Sequence, residues 1–372
     1  MSKTMARADH VGSLLRPAAV TEARAATLSP GELSSPALTE IENAAIADAV
    51  AAQEAIGLPI VTDGEFRRSF WHYDFLDGLD GFAVTRRDDR AGVQFAGKEL
   101  RPFDPAITGR IDFPDDHPML EHFRYLASVA SATPKISIPG PSACHFRTAV
   151  EDIAPPEYDD VELLLHDIGA AYAKAVQAFY DAGCRYLQLD DIFFAYLCDE
   201  GQREAKRAAG LDPDWLIGAY ADMLERSIAG RPDDMTIGMH MCRGNFRSTW
   251  VAQGGYDPAA DAIFNRTSVD VYYMEYDTER AGSLTPLRLL PTGHKRVMAG
   301  FMTTKTADLE PLDELRRRID EASAQVNVDQ LGIAPQCGFA STEEGNEVDE
   351  DDQWAKLARI VETAEAIWGG VQ

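Results

Sequence analysis

Thr236-Ile237-Gly238-Met239-His240-Met241-Cys242 is the stretch on which the reading of this chain turns. Residues 236–239 form a short apolar run, and it stops at a polar His-x-Cys. Six similar runs, at 59–62, 135–138, 186–189, 269–274, 296–299 and 332–334, are read as further strands. Between them lie helical patterns at 163–182, 213–227, 312–326 and 352–368, where apolar residues recur at i, i+3, i+4 and i+7. Asp212 before Pro213 reads as an N-cap followed by proline at the first helical position. Gly57 and Gly183, each just ahead of a strand, mark helix ends.

Strand–helix alternation over the whole length predicts an α/β protein with a parallel sheet and crossover helices. Seven or eight such units suit a closed (β/α)8 TIM barrel better than an open doubly wound sheet. No GxGxxG follows the first strand, so a dinucleotide-binding half is not indicated. Residues 81–115, rich in Arg, Asp, Gly and Phe, break the rhythm and predict a long loop or hairpin inserted after the first strand. In a barrel that position lies at the C-terminal mouth, where substrate loops belong. With no linker and no repeat, residues 1–372 are read as one domain.

Composition narrows the function. A hydrophobic fraction of 45% and a charged fraction of 26% are those of an ordinary folded protein. A net charge of −26 argues against nucleic acid, whose phosphates need a basic footprint. No run of about 18 apolar residues suggests a membrane span, and the N-terminus lacks the apolar core of a secretory signal. A cytoplasmic protein is expected. Five scattered cysteines do not make a disulfide framework, which leaves burial or metal binding to explain each of them.

The chemistry-bearing residues stand at strand ends, where a barrel builds its active site. Residues two apart in extended chain point the same way, so His240 and Cys242 can converge on one ion. The next strand ends in Glu275, and the last runs into Pro335-Gln336-Cys337-Gly338. One imidazole, two thiolates and one carboxylate suit tetrahedral zinc, so Zn2+ is the expected cofactor, held by His240, Cys242, Glu275 and Cys337. Cys184 and Cys198 read as structural, and Cys144 is open.

These motifs resemble the catalytic C-terminal barrel of the cobalamin-independent methionine synthase family. The zinc set is joined by His10-Val11-Gly12-Ser13-Leu14-Leu15-Arg16-Pro17, similar to that family's first βα loop. Thr62-Asp63-Gly64-Glu65-Phe66-Arg67-Arg68 is similar to its acidic segment, and Leu187-Gln188-Leu189-Asp190-Asp191 to its Q-hydrophobe-D-E strand end. The resemblance spans essentially the whole chain. It implies a methyltransferase in which zinc makes the thiol of homocysteine a thiolate, and the sulfur displaces a methyl group from a donor. It further implies that Glu65 and Asp190 are catalytic carboxylates binding the substrate ammonium. Gly12, Ser13 and Asp191 complete the substrate-binding set, although this chain reads Asp191-Ile192 where the family has Glu-Pro. Ile138-Pro139-Gly140-Pro141-Ser142 resembles a loop near the donor. Trp71 and Tyr73 are candidates for stacking on a flat ring, and Arg16, Arg67, Arg68 and Lys305 are either an anion site or a set of salt bridges.

Two departures matter. The family's archetype is about twice as long and has an N-terminal barrel that helps bind polyglutamylated folate. It also carries a histidine in a segment that here reads Gly300-Phe301-Met302-Thr303-Thr304-Lys305-Thr306. The implied partners are therefore a homocysteine-like thiol and a methyl donor, either a folate or a corrinoid, with a homo-oligomer open. The competing readings are a zinc alkyltransferase acting on another small thiol, and a metal-free decarboxylase-like barrel.

Overall fold

A computed structural model describes residues 5–27, 35–86 and 92–372. Its strands are β1 (Ile60–Val61), β2 (Asp80–Arg86), β3 (Gln94–Phe95), β4 (Lys98–Glu99), β5 (Phe103–Asp112) and β6 (Thr133–Pro134). They continue with β7 (Ile136–Pro139), β8 (Tyr186–Asp190), β9 (Thr236–Met241), β10 (Val271–Glu275), β11 (Arg296–Met302) and β12 (Leu331–Pro335). The longer helices are α1 (Ala18–Thr27), α2 (Pro36–Ala55), α3 (Tyr73–Leu76), α4 (Pro118–Val129), α5 (Ser142–Arg147) and α6 (Val161–Asp181). After them come α7 (Phe193–Tyr196), α8 (Glu200–Ala208), α9 (Pro213–Ile228), α10 (Ala260–Asn265), α11 (Leu312–Ser323) and α12 (Glu350–Trp368). None is long and apolar enough to cross a membrane.

Strands β7 to β12 pair in sequence order as one parallel sheet. The ring continues at both ends. Ala8 bridges in parallel to Ile333 of β12, and β1 pairs in parallel with β6, which leads directly into β7. The seam between residues 8–12 and β1 is closed mainly by a side chain. Gln53 of α2 donates from Nε2 to Thr62 O at 2.9 Å, while its Oε1 accepts from Thr62 N and lies 2.9 Å from His10 Nε2. The result is a TIM-type barrel whose first strand segment, around Ala8, precedes the run at 59–62.

The pleat decides what faces inward. Val271 and Tyr273 of β10 pack with Tyr186, Met298 and Ala334 in a small inner cluster, while Tyr272 and Met274 join the larger core beneath the helices. By the same alternation Gln188 and Asp190, and Gly238 and His240, share the inner side of β8 and β9. Below the mouth, Lys135 Nζ sits 2.9 Å from Asp9 Oδ1 and 3.0 Å from the Tyr273 hydroxyl, a buried ion pair across the barrel.

Helix starts follow their caps. Asp212 accepts a hydrogen bond from Asp214 N ahead of α9, as the sequence predicts. Gly57 and Gly183 have φ of +89° and +101°, the left-handed turn that ends α2 and α6. Residues 81–115 hold an antiparallel hairpin, β2 with β5, carrying the short pair β3–β4. It folds over the mouth: Ala96 N bonds to Trp250 O at 3.0 Å, and Arg101 pairs with Glu343 at 2.6 Å.

Candidate active site

Two strand ends deliver three metal-ligating side chains to one point. His240 lies on β9, Cys242 follows it, and Cys337 follows β12; their donor atoms all lie within 4.8 Å of one another. The Cys242 and Cys337 sulfurs are 3.7 Å apart, far beyond a disulfide bond of about 2.05 Å. Two sulfurs each about 2.3 Å from a tetrahedral zinc stand about 3.8 Å apart, so the spacing fits that ion. His240 Nδ1 faces Asp190 Oδ1 at 3.5 Å, and its Nε2 is buried without a hydrogen bond. A carboxylate on one ring nitrogen and a bare second nitrogen is the arrangement of a metal-binding histidine. The hydrogen bond it shares with Cys242, helped by His240, holds the pKa of the Cys337 thiol well below its usual value. Burial opposes a charge on His240, yet Asp190 and Cys337 raise its pKa to about 10.

Glu275 is next to this group and outside it. Its carboxylate pairs with Arg280, lies 3.5 Å from Lys305 Nζ, and accepts from Arg243 N at 2.6 Å. Burial alone would raise its pKa, but Lys305, Arg280 and Arg243 outweigh it and hold the group at about 2. The structure therefore brings together three of the four expected ligands. The fourth is engaged by cations from neighbouring loops.

The carboxylates Glu65 and Asp190 line the same cavity with Ser13, His240, Cys242 and Cys337. Glu65 sits in the turn that follows β1 with φ of +60°, a left-handed conformation that a non-glycine residue holds only under restraint. Ser137 Oγ donates to its Oε1 at 2.9 Å, and Arg68 lies 3.6 Å from its Oε2. Burial raises its pKa to about 7. Asp190 is oriented by Gln188, whose Nε2 donates to Oδ1 at 2.7 Å and to Val11 O at 2.6 Å.

Residues 6–365 match the family model of the cobalamin-independent synthase catalytic domain. The chain belongs to that family. As a cobalamin-independent synthase barrel it is placed among methyltransferases. It is 46% and 47% identical to the Bacillus subtilis proteins YxjH and YxjG, over 97% of this chain and 94% of each relative. A solved candidate vitamin-B12 independent methionine synthase from Listeria monocytogenes is 37% identical, with 99% of both chains covered and a TM-score of 0.78. A B12-independent methionine synthase from Shewanella, solved with selenomethionine, shares the fold at 20% identity, covering 98% of both chains with a TM-score of 0.72. The 5-methyltetrahydropteroyltriglutamate–homocysteine methyltransferase of Bifidobacterium animalis is 27% identical over 93% of this chain, which spans 40% of that enzyme's length.

Other expected residues of this synthase barrel divide. Ser13 reaches the cavity, and Gly12, with φ of +139°, leaves only 3.5 Å between a would-be Cβ and Glu65 Oε1. Asp191 does not line the cavity. It accepts instead from Ser142 Oγ at the start of α5, and burial raises its pKa to about 7. The pleat explains this, since Asp190 and Asp191 are adjacent and point to opposite sides. Trp71 lines the cavity, whereas Tyr73 packs with Phe70, Leu100 and Phe246. The four basic residues do not form one patch. Arg16 binds the carbonyls of Glu65 and Arg68, Arg67 pairs with Glu42, Arg68 with Glu65, and Lys305 with Glu275 and Asp277.

Thr304 Oγ1 bonds to Gln336 Oε1 and Gly338 O, so the segment lacking the family's histidine braces the loop that carries Cys337. Cys144, Cys184 and Cys198 are buried, and burial pushes each thiol up to about 12. Sequence reasoning missed His72, Arg147, Tyr196 and Asn245, which also line the cavity. His72 stands between two aromatics that were singled out. Arg147 follows the Gly140-Pro141 turn, and neither residue has a motif of its own.

Proposed function

We propose that this chain is a zinc-dependent methyltransferase that transfers a methyl group to the thiol of homocysteine, working as one catalytic unit. The observation that carries the reading is the convergence of His240, Cys242 and Cys337 in the cavity that also holds Glu65 and Asp190. A bound zinc ion supplies a Lewis-acidic centre that lowers the pKa of a coordinated thiol, so that thiolate exists at neutral pH. His240, Cys242 and Cys337 would hold it, and Glu275, beside them and engaged by Arg280 and Lys305, would be the weaker fourth donor, since a soft-leaning ion favours a thiolate over a carboxylate.

The chain's own residues do the rest. Glu65 and Asp190 hold the ammonium group of the amino acid, and the backbone at Gly12-Ser13 receives its carboxylate. Gln188 fixes Asp190, and Ser137 fixes Glu65. The sulfur then lies in line with the donor's methyl carbon: the S–C bond forms as the bond from carbon to the donor breaks, and the donor leaves with that electron pair. Phe95, Leu100 and Phe246 roof the cavity and exclude water, which favours a displacement governed by orientation. The donor is a methyl-folate or a methyl-corrinoid.

The test is methionine formation by zinc-loaded protein given homocysteine and either 5-methyltetrahydrofolate or methylcobalamin, followed by mass spectrometry. Methionine is expected from one donor, and Cys337→Ser is expected to lose both bound zinc and at least 100-fold of the activity. Equal turnover of 2-mercaptoethanesulfonate, which has no ammonium group, would contradict the assignment of the acceptor and favour alkyl transfer to another thiol.

A further inference from the structure

Arg147 ends α5 and forms part of the cavity wall. Its guanidinium has no carboxylate partner among the described residues, and its Nε is buried without a hydrogen bond. It rests instead on two rings, 5.3 Å from the centre of Phe193 and 5.9 Å from that of Tyr196. In a chain of net charge −26, an arginine with no carboxylate partner among the described residues stands apart from Arg67, Arg68 and Lys305, each of which pairs with a carboxylate. A second cation is close by. Lys206 Nζ donates to Phe146 O at 3.0 Å, and burial together with Arg147 lowers its pKa to about 8.

His72 lines the same cavity, is 1% exposed, and has no hydrogen bond at either ring nitrogen. Its ring is stacked between Trp71, at 4.3 Å, and Tyr73, at 3.8 Å, so its orientation is fixed. Burial, reinforced by Arg147, holds the imidazole neutral. It therefore offers one N–H donor and one acceptor nitrogen to whatever enters. Glu65, Asp190 and His240 are fully buried, whereas Arg147 is half-buried. The thiol thus belongs in the deeper part, and Arg147 and His72 face what arrives above it.

We propose that Arg147 and His72 form the recognition site for the second substrate, a methyl donor that carries an oxyanion. The guanidinium fork takes the oxyanion, a carboxylate or a phosphate, and the imidazole hydrogen-bonds a heteroatom of the donor. This rests on the thiol-methylation reading above. It gives the donor polar contacts of its own in a barrel whose segment at 300–306 has no histidine.

Zinc-loaded wild type, Arg147→Gln, Arg147→Lys and His72→Asn are titrated calorimetrically with 5-methyltetrahydrofolate monoglutamate, with methylcobalamin and, separately, with homocysteine. Far-UV circular dichroism checks that each variant is folded. Arg147→Gln is expected to weaken one donor at least tenfold, Arg147→Lys to recover part of that loss, and His72→Asn to weaken the same donor at least threefold. Homocysteine affinity is expected to stay within twofold. A loss confined to methyl-folate identifies a carboxylate, and one confined to methylcobalamin a phosphate. Donor affinities unchanged by Arg147→Gln, a wild type that binds neither donor, or a loss confined to homocysteine would each overturn the proposal. Failure of the wild type to bind homocysteine would instead strike the thiol reading, since the donor titrations are scored independently.

Discussion

Glu65 concentrates the cost and the use of this site in one residue. It has a left-handed backbone, a buried carboxyl group and an ammonium-binding role in the proposed reaction. Its carboxyl group, raised to about 7 by burial, is half protonated at neutral pH. A protonated carboxyl cannot pair with an ammonium group, so homocysteine binding should tighten as pH rises through 7. The ionised fraction grows about tenfold between pH 6 and 8, and KM for homocysteine should fall by a similar factor. Glu65→Gln should remove that component and leave only the pH dependence of thiol deprotonation. A KM–pH profile for both proteins checks this. At this scale, direction is legible where the pleat alone sets it, as for His240 and Asp190, which both face the cavity. The surroundings of Glu275 are not, because the partners that engage it, Arg280 and Lys305, come from loops whose approach no local pattern encodes.

Elements were legible in proportion to their periodicity. The helix predicted at 163–182 is α6, Val161–Asp181, and that at 213–227 is α9, Pro213–Ile228. The strand segment at Ala8 escaped notice because it makes a single bridge and has no apolar run to mark it. Its seam depends on Gln53, a residue that on α2 reads as an ordinary polar position until the fold buries it. Gln53→Leu would leave the buried Thr62 N–H and carbonyl without these partners. Each unsatisfied group costs about 1–3 kcal/mol. A loss of about 2–6 kcal/mol is expected, measured by urea unfolding at equilibrium.

Across the whole molecule, the barrel was legible because strand and helix alternate from end to end, and the hairpin because residues 81–115 interrupt them. What the hairpin does was not legible. Phe95 and Leu100 meet Phe70, Trp71 and Phe246 over the thiol site only after residues far apart in sequence have folded together. The central claim is that His240, Cys242 and Cys337 hold a zinc ion that takes up a substrate sulfur. X-ray absorption at the zinc edge, with and without homocysteine, tests it most directly. One zinc per chain with two sulfur neighbours is expected, rising to three when homocysteine is added. A protein that binds no zinc, or a sulfur count that homocysteine leaves unchanged, would contradict it.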